Sequence, residues 1–328
     1  MKLIYTQLKQ HPRVLHSLTG LRVAEFDRLV SDLRPLFSDA DRERHTRPER
    51  VRAIGGGRHA TLTALEQVLL TVVWLRLYPT YEVLGFFFGV SHSTVSRLLS
   101  RTVPLLAQAG RDTMKMPDPG RKHRRHMSQL LSELPELAVV IDSWEQAVQR
   151  PQGKDEDGTR KADKWYSGKK KRHTIKSQVG VDLHTGSICH TGGSVPGPVA
   201  DITLLKGSGL MARLPSGVGG EGDCAYTGIG ELHPQGSKYG ATPRRKPRGK
   251  DKHRPRGRDN PRPPEDIEYN RAFAQRRVVV EHTILRLRQY GALRQTDRHH
   301  RRGHTERVEA VAGLVNRKLQ NRLPYFFI

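Results

Sequence analysis

Two cysteines in 328 residues, Cys189 and Cys224, exclude a disulfide framework, and without paired Cys or His spacing around them they exclude a zinc module as well. Long apolar runs are missing. The longest, from Val68 to Tyr78, is interrupted by Arg76 and is too short to span a bilayer. Met1-Lys2-Leu3-Ile4-Tyr5 gives way at once to polar residues, so no secretory signal is expected. No internal repeat is visible. Acidic residues are scarce, 33 against 57 Lys and Arg. These absences point to a cytoplasmic protein with no membrane partner and a core built from 35% hydrophobic residues.

What is present in excess is positive charge. A formal net charge of +24 implies attraction to a polyanion. The basic residues are grouped in Arg121-Lys122-His123-Arg124-Arg125-His126, in Lys169-Lys170-Lys171-Arg172, and in the tract from Arg244, Arg245 and Lys246 to Arg262. One such run reads equally well as a solvated face or a localisation signal. Three of them favour nucleic acid, with each run neutralising several phosphates and binding strongly salt-dependent. Such a protein is expected to associate with the nucleoid.

Residues 1–118 read as an all-helical domain, with amphipathic segments over 21–37 and 63–77 on either side of a basic, glycine-rich stretch at 47–58. Near 81–101 the layout is that of a helix-turn-helix. Gly89 permits the tight turn, Val90 packs into it, Ser91 caps the second helix, and Val95, Leu98 and Leu99 form its buried face. Ser93, Thr94, Ser96 and Arg97 remain outward, able to meet phosphates or base edges, although a plain helical hairpin would share the pattern. A polar, basic linker is expected over 119–136. Beyond it, strand and helix signals alternate. The β-branched run 137–141 predicts a buried strand ending at Asp142, and 146–150 a returning second strand. Residues 173–182 predict a half-exposed strand, and His184-Thr185-Gly186 a turn into 187–191. Asp201 is expected to cap a helix through Leu204, Leu205 and Leu210, and helical spacing runs from about Glu265 to Leu293. The fold class is therefore α+β, a helical domain followed by a mixed sheet flanked by helices.

Three carboxylates stand at the ends of readable signals. Asp142 closes the apolar strand, Asp223 follows the glycine-rich stretch 217–222, and Glu281 lies on the late helix with Arg277 and Arg288 on a shared flank. Hard divalent cations such as Mg²⁺ and Mn²⁺ take oxygen ligands. Two of them about 4 Å apart can activate the attacking oxygen and stabilise the leaving one in phosphoryl transfer. An ionised group at the end of an apolar strand also needs a partner. Spacing alone leaves the trio open between a metal cage and solvated surface charge. His282 points about 100° away from Glu281 on a regular helix and is given no catalytic role.

Several motifs carry a resemblance to a known family: 77–85 (Leu-Tyr-Pro-Thr-Tyr-Glu-Val-Leu-Gly), 165–174 (Trp-Tyr-Ser-Gly-Lys-Lys-Lys-Arg-His-Thr), 196–201 (Pro-Gly-Pro-Val-Ala-Asp), Gly222-Asp223-Cys224-Ala225-Tyr226 and Arg277-Val278-Val279-Val280-Glu281. In this order, over roughly Gly55 to Arg317, they resemble bacterial insertion-sequence transposases of the DDE class. The closest likeness is to the family-five group, related to Harbinger transposases, with a helix-turn-helix ahead of a ribonuclease-H-like catalytic domain. The resemblance implies that 137–328 is that catalytic domain, with a basic, mobile insertion near 244–264. It assigns the acidic trio to Asp142, Asp223 and Glu281 and matches Arg277 to the family's arginine. Arg288 stands where relatives often carry lysine, and Ser143-Trp144 where they usually have Gly-Thr. Trp144 is expected to pack in the core, with stacking on a displaced base as the other option.

The implied activity is cleavage at transposon ends followed by joining of the 3′ hydroxyl to target DNA, using two Mg²⁺ or Mn²⁺ ions. Lys169–Arg172, Arg244, Arg245, Lys246, Arg277 and Arg288 would hold DNA, in a homodimer or higher assembly that brings two ends together. Two other readings share these features. One is a domesticated DNA-binding protein that no longer cuts, and the other is a metal-dependent endonuclease without strand transfer.

Overall fold

The computed structural model describes residues 3–46, 60–120, 134–245 and 262–320. The basic run at 121–126, the stretch 47–58, Lys246 and most of the tract beyond it therefore lie outside the described residues. The helices are α1 (Tyr5–Gln10), α2 (Pro12–Thr19), α3 (Val23–His45), α4 (Ala64–Leu77), α5 (Tyr81–Phe88), α6 (His92–Arg111), α7 (Asp201–Ser208), α8 (Pro264–Leu287), α9 (Gly291–Arg294) and α10 (His304–Gln320). The strands are β1 (Leu137–Ala147), β2 (Tyr166–Ser167), β3 (Arg172–Asp182), β4 (Ile188–Thr191), β5 (Val195–Pro196), β6 (Val218–Glu221) and β7 (Gly240–Ala241). The chain divides into two compact units, Met1–Thr113 with Arg286–Ile328, and Met114–Leu285.

The first unit is helical and is organised around α4. Thr63 accepts from the Glu66 amide at 3.3 Å, and Glu66 Oε2 accepts from the Thr63 amide at 2.8 Å, so a reciprocal cap starts this helix. Val68 to Leu75 are all buried, as expected of a helix surrounded by its neighbours. The α5–α6 turn is specified by glycine. Gly89 adopts φ 65°, and a Cβ on Gly85 would lie 2.5 Å from the Val90 carbonyl oxygen, so no larger side chain lets this turn close. Ser91 then caps α6 by accepting from the Thr94 amide at 3.3 Å. Val95 and Leu99 are buried, whereas Ser93, Ser96 and Arg97 are exposed and Thr94 is half-buried. This is a helix-turn-helix with an open second helix.

The C-terminal helix completes this unit. α10 crosses α6 at Gly110 and Gly313, where a Cβ on Gly110 would lie 2.4 Å from the Glu309 carbonyl oxygen and one on Gly313 2.3 Å from the Gly110 Cα. Residues from Arg286 onward thus group with the N-terminal helices, whereas the sequence reading runs the catalytic segment from 137 to 328. The long helix expected to reach Leu293 also stops earlier, at Leu287. Arg76 donates to the Gln289 carbonyl at 2.8 Å and lies over the buried Tyr290 ring, and Gly291 packs on the Leu77 backbone. Those contacts hold 288–290 as a turn, so Arg288 does not continue the helical flank shared by Arg277 and Glu281.

The second unit is built on a mixed sheet, with β2-β3-β1-β6-β7 as its main path and β4 and β5 also paired to β3. β1 runs antiparallel to β3 from Val139 opposite Asp182 to Ala147 opposite Thr174, and parallel to β6 from Leu137 opposite Val218 to Val140 opposite Glu221. β6 and β7 are also parallel. On one face Val139, Ile141, Leu205, Leu210, Met211, Val218 and Tyr226 form the core, with Cys189 among them. Cys224 is exposed and neither cysteine is bonded. The α+β class read from the sequence holds. Local expectations differ: 173–182 form a strand that is buried from Thr174 to Asp182 rather than half-exposed, since the sheet is covered on both faces there, β1 does not end at Asp142, and 146–150 do not form a second strand. β1 continues to Ala147 because β3 pairs with it from Val139 to Ala147, while its other neighbour, β6, stops at Glu221.

Among the described residues no helix is long and apolar enough to cross a membrane. The α6–α10 crossing yields a stability prediction. Gly110→Ala should destabilise the protein by about 1–3 kcal/mol through overpacking, read as a lower Tm in thermal denaturation, whereas alanine at the open position Gly207 should leave Tm close to that of the parent.

Candidate active site

The parallel register of β1 and β6 brings two of the predicted carboxylates together. Val140 pairs with Glu221, and two residues farther along each chain stand Asp142 and Asp223. Neighbouring strands lie about 4.8 Å apart, so the two aspartates project from adjacent chains where β6 ends and β1 goes on alone beside β3. The turn after β6 depends on Gly222, because a Cβ there would lie 2.7 Å from the Tyr226 ring. Asp223 Oδ1 accepts from the Ala225 amide at 2.8 Å, which fixes the carboxylate at the head of the turn.

Burial of Asp142 pushes its carboxyl up to about 6. The Ser143 amide, donating to Oδ1 at 2.8 Å, and Arg277, whose Nη2 lies 3.4 Å from Oδ2, oppose that rise, while the charges of Asp223 and Asp201 add to it. The site therefore holds more negative charge than its own cations offset.

Helix α8 is anchored by a pair that sequence reasoning missed. Arg276 grips Glu221 through two hydrogen bonds, 2.5 Å from Nη2 and 3.1 Å from Nε, with Glu221 2% exposed. Burial pushes the Glu221 carboxyl up and Arg276 pulls it back. The signal was a glutamate inside a glycine-rich buried strand, which demands a cationic partner. This clamp leaves Arg277, one residue on, at Asp142. Glu281 lies one helical turn beyond Arg277 and is exposed, as is His282. Among the described residues, no three His, Cys, Asp or Glu side chains are grouped closely enough to hold a metal ion. The structure thus joins Asp142 with Asp223 but does not bring Glu281 into a three-carboxylate group with them.

Asp201 is not the helix cap expected from sequence. Ala200 holds the cap position, and Asp201 is the first helical residue, with its carboxylate turned toward the sheet. It accepts from Ser143 Oγ at 2.7 Å and pairs with Lys176 at 2.9 Å. Trp144 is 8% exposed and packs inside, as preferred from sequence.

The candidate DNA contacts differ in how free they are. Gly168 to Lys171 connect β2 to β3, with the Lys170 and Lys171 amides held by Ser167 and Lys171 at φ 54°, so Lys169, Lys170, Lys171 and Arg172 are presented together to solvent. Arg244 is engaged within the fold, bonded to Asp266 at 3.1 Å and stacked 4.3 Å from the Tyr269 ring centroid. Arg245 donates to the Cys224 carbonyl at 2.6 Å, beside Asp223. Arg288 is exposed in the turn after α8.

A family model described as "DDE superfamily endonuclease" matches residues 141–316, more than half the chain, and one described as "Helix-turn-helix of DDE superfamily endonuclease" matches 60–112. The chain belongs to the DDE-class insertion-sequence transposases. A relative from Microchaete diplosiphon, described as "Probable transposase for insertion sequence element IS702", is 30% identical over 264 residues, covering 80% of this chain and 83% of its own length. No solved structure matches. In this DDE transposase the matched endonuclease segment contains Asp142, Asp223 and Glu281, and the matched helix-turn-helix segment contains Ser93, Thr94, Ser96 and Arg97.

A hard divalent cation fits the Asp142 and Asp223 pair on the chemistry of the donors. Both are carboxylate oxygens, and their mutual repulsion at a half-buried position is relieved by positive charge. The fit extends to two ligands, because Glu281 stands apart from them. A linkage prediction follows. The raised pKa of Asp142 gives stability that is complete below the ordinary aspartate value and is lost as pH rises through about 6. Without divalent cations, Asp142→Asn should remove that loss. Its Tm relative to the parent should rise between pH 4 and pH 7, by the equivalent of up to roughly 3 kcal/mol at 1.4 per pKa unit, as read by thermal melts across pH.

Proposed function

We propose that this chain is the transposase of an insertion sequence, which cleaves the element's ends and joins the freed 3′ hydroxyl to target DNA at a single site. The observation that carries the reading is the β1–β6 register, which sets Asp142 and Asp223 each two residues past the Val140–Glu221 pair, inside the segment matched by the endonuclease family. Glu281, one turn from Arg277 on α8, is proposed as the third carboxylate. Mg²⁺ or Mn²⁺, bound as two ions, would supply activation of the attacking oxygen and stabilisation of the leaving one.

The residues of the chain have separable tasks in this reading. Asp142 and Asp223 hold their carboxylates on fixed backbone, so neither needs to be ordered when substrate arrives. Arg277 keeps Asp142 oriented and offers guanidinium protons to a phosphate that comes alongside. Lys169, Lys170, Lys171 and Arg172 bind flanking backbone phosphates, with Arg245 nearer Asp223 and Arg288 beyond α8, and Lys246 adds to the same positive charge. Arg244 acts first as an anchor to α8 through Asp266. Ser93, Thr94, Ser96 and Arg97 face the element's terminal repeats from the open side of α6. Two ends must meet for transposition, so the working form is a dimer or larger on DNA, associated with the nucleoid.

Incubation with a labelled duplex carrying the element's own ends tests this reading. With Mg²⁺ or Mn²⁺ the parent should give cleaved and joined strands, and Asp142→Asn, Asp223→Asn and Glu281→Gln should each lower product by at least a hundredfold while still binding the duplex. Cleaved strands without joined ones would make the protein an endonuclease only. A folded, DNA-binding parent that gives no product would make it a domesticated binding protein. Full activity in one variant would remove that residue from the trio.

A further inference from the structure

On the face of the sheet opposite Asp142 lies a buried polar chain that the phosphodiester chemistry does not use. Ser143 pairs with Gln178 across β1 and β3, and Lys176 follows two residues before Gln178 on the same face. Lys176 Nζ reaches Asp201 Oδ1 at 2.9 Å and the Val199 carbonyl at 2.6 Å. Ser143 Oγ donates to Asp201 Oδ1 at 2.7 Å. Gln178 Nε2 donates to the Tyr226 hydroxyl at 2.9 Å and reaches the Asp201 carbonyl at 3.3 Å. The Tyr226 hydroxyl also lies within hydrogen-bonding reach of the Ser143 side chain. A carboxylate can only accept, so the Ser143 proton belongs to Asp201. Gln178 and Tyr226 are fully buried and Lys176 is 7% exposed.

A buried ion pair with its hydrogen-bond network gives no more stability than apolar side chains of the same volume, and breaking one partner away is costly. What such a network can supply is a unique geometry. Its endpoints show which geometry is fixed here. Ser143 is the residue after Asp142, and Tyr226 closes the turn opened by Asp223, folding back beneath Gly222, which has no side chain to obstruct its ring. The tyrosine hydroxyl is therefore tied both to the strand of the first aspartate and, through its own backbone, to the turn of the second. Asp201 and Lys176 close the far end as a fixed, neutralised pair. The extended segment before α7 reaches them because Gly197 lies against Thr174, where a Cβ would come within 1.8 Å of Oγ1.

We propose that Tyr226 is a positioning residue, whose hydroxyl, held by Ser143 and Gln178 and backed by Asp201 and Lys176, sets the separation of Asp142 and Asp223 and so the affinity of that pair for a divalent cation. The proposal rests on the reading of these two aspartates as cation ligands.

The test uses the full chain without DNA and Mn²⁺ as the probe, with bound and free ion distinguished by electron paramagnetic resonance and folding followed by Tm. Tyr226→Phe and Ser143→Ala should each weaken Mn²⁺ binding by about tenfold, as expected when support to a metal ligand is removed, with Tm changing by only a few degrees, and Asp142→Asn should abolish it. Should Tyr226→Phe fail to fold, Ser143→Ala decides, since it removes only a half-buried hydroxyl. Parental affinity in the folded variants, with binding still lost in Asp142→Asn, would overturn the positioning role and leave the cation site standing, and a lowered Tm at parental affinity would mean the network is structural only. Equal Mn²⁺ binding by the parent and Asp142→Asn would overturn the cation reading and this proposal together.

Discussion

Everything at the candidate site depends on four residues of parallel pairing between β1 and β6. That register, with Val140 opposite Glu221, turns two carboxylates 81 residues apart in sequence into neighbours, and it works because the two strands end differently. β6 stops where Gly222 lets the chain fold back, whereas β1 is carried onward by β3. Asp142 consequently keeps strand geometry on one side and has no paired strand residue on the other, while burial raises the carboxyl's affinity for a proton. The Glu221–Arg276 clamp belongs to the same register, since Glu221 is the last paired residue of β6 and its partner delivers Arg277 to Asp142.

Parts of this were legible in the sequence because they rest on local rules. Gly89 and Ser91 mark a turn and a cap whatever surrounds them, so the helix-turn-helix could be read from a short window. The β-branched run before Asp142 and the glycine-rich stretch before Asp223 likewise announce a strand and a turn. The strand's true end was not legible. Its continuation to Ala147 is imposed by pairing with β3, and residues 143–147 are too mixed in polarity to reveal that by themselves. Asp201 was misread for a similar reason. Its position at a helix start fits a cap, and only the fold brings Ser143 and Lys176 to its carboxylate. Arg276 and Glu221 are separated by 55 residues, and neither carries a local signal naming the other. The helix break after Leu287 depends on Arg76, which no window around Gly291 contains.

Charge operates at two scales in this protein. The net charge of +24 draws in a polyanion, and at the hairpin the basic side chains of Lys169 to Arg172 stand free in solvent to meet it. At the site the sign reverses, with two adjacent aspartates and Arg277 paired to Asp142. A negatively charged site in a positive molecule is what joins a cation to a phosphodiester, because the cation offsets the repulsion between the carboxylates and the phosphate.

The central claim is that the β1–β6 register makes Asp142 and Asp223 a joint cation site. Crystals of the protein soaked in Mn²⁺ and measured at a wavelength where manganese scatters anomalously would test it most directly. The account predicts an anomalous peak within coordination distance of both carboxylates. A peak elsewhere, or none in crystals whose map shows the two side chains ordered, would contradict it.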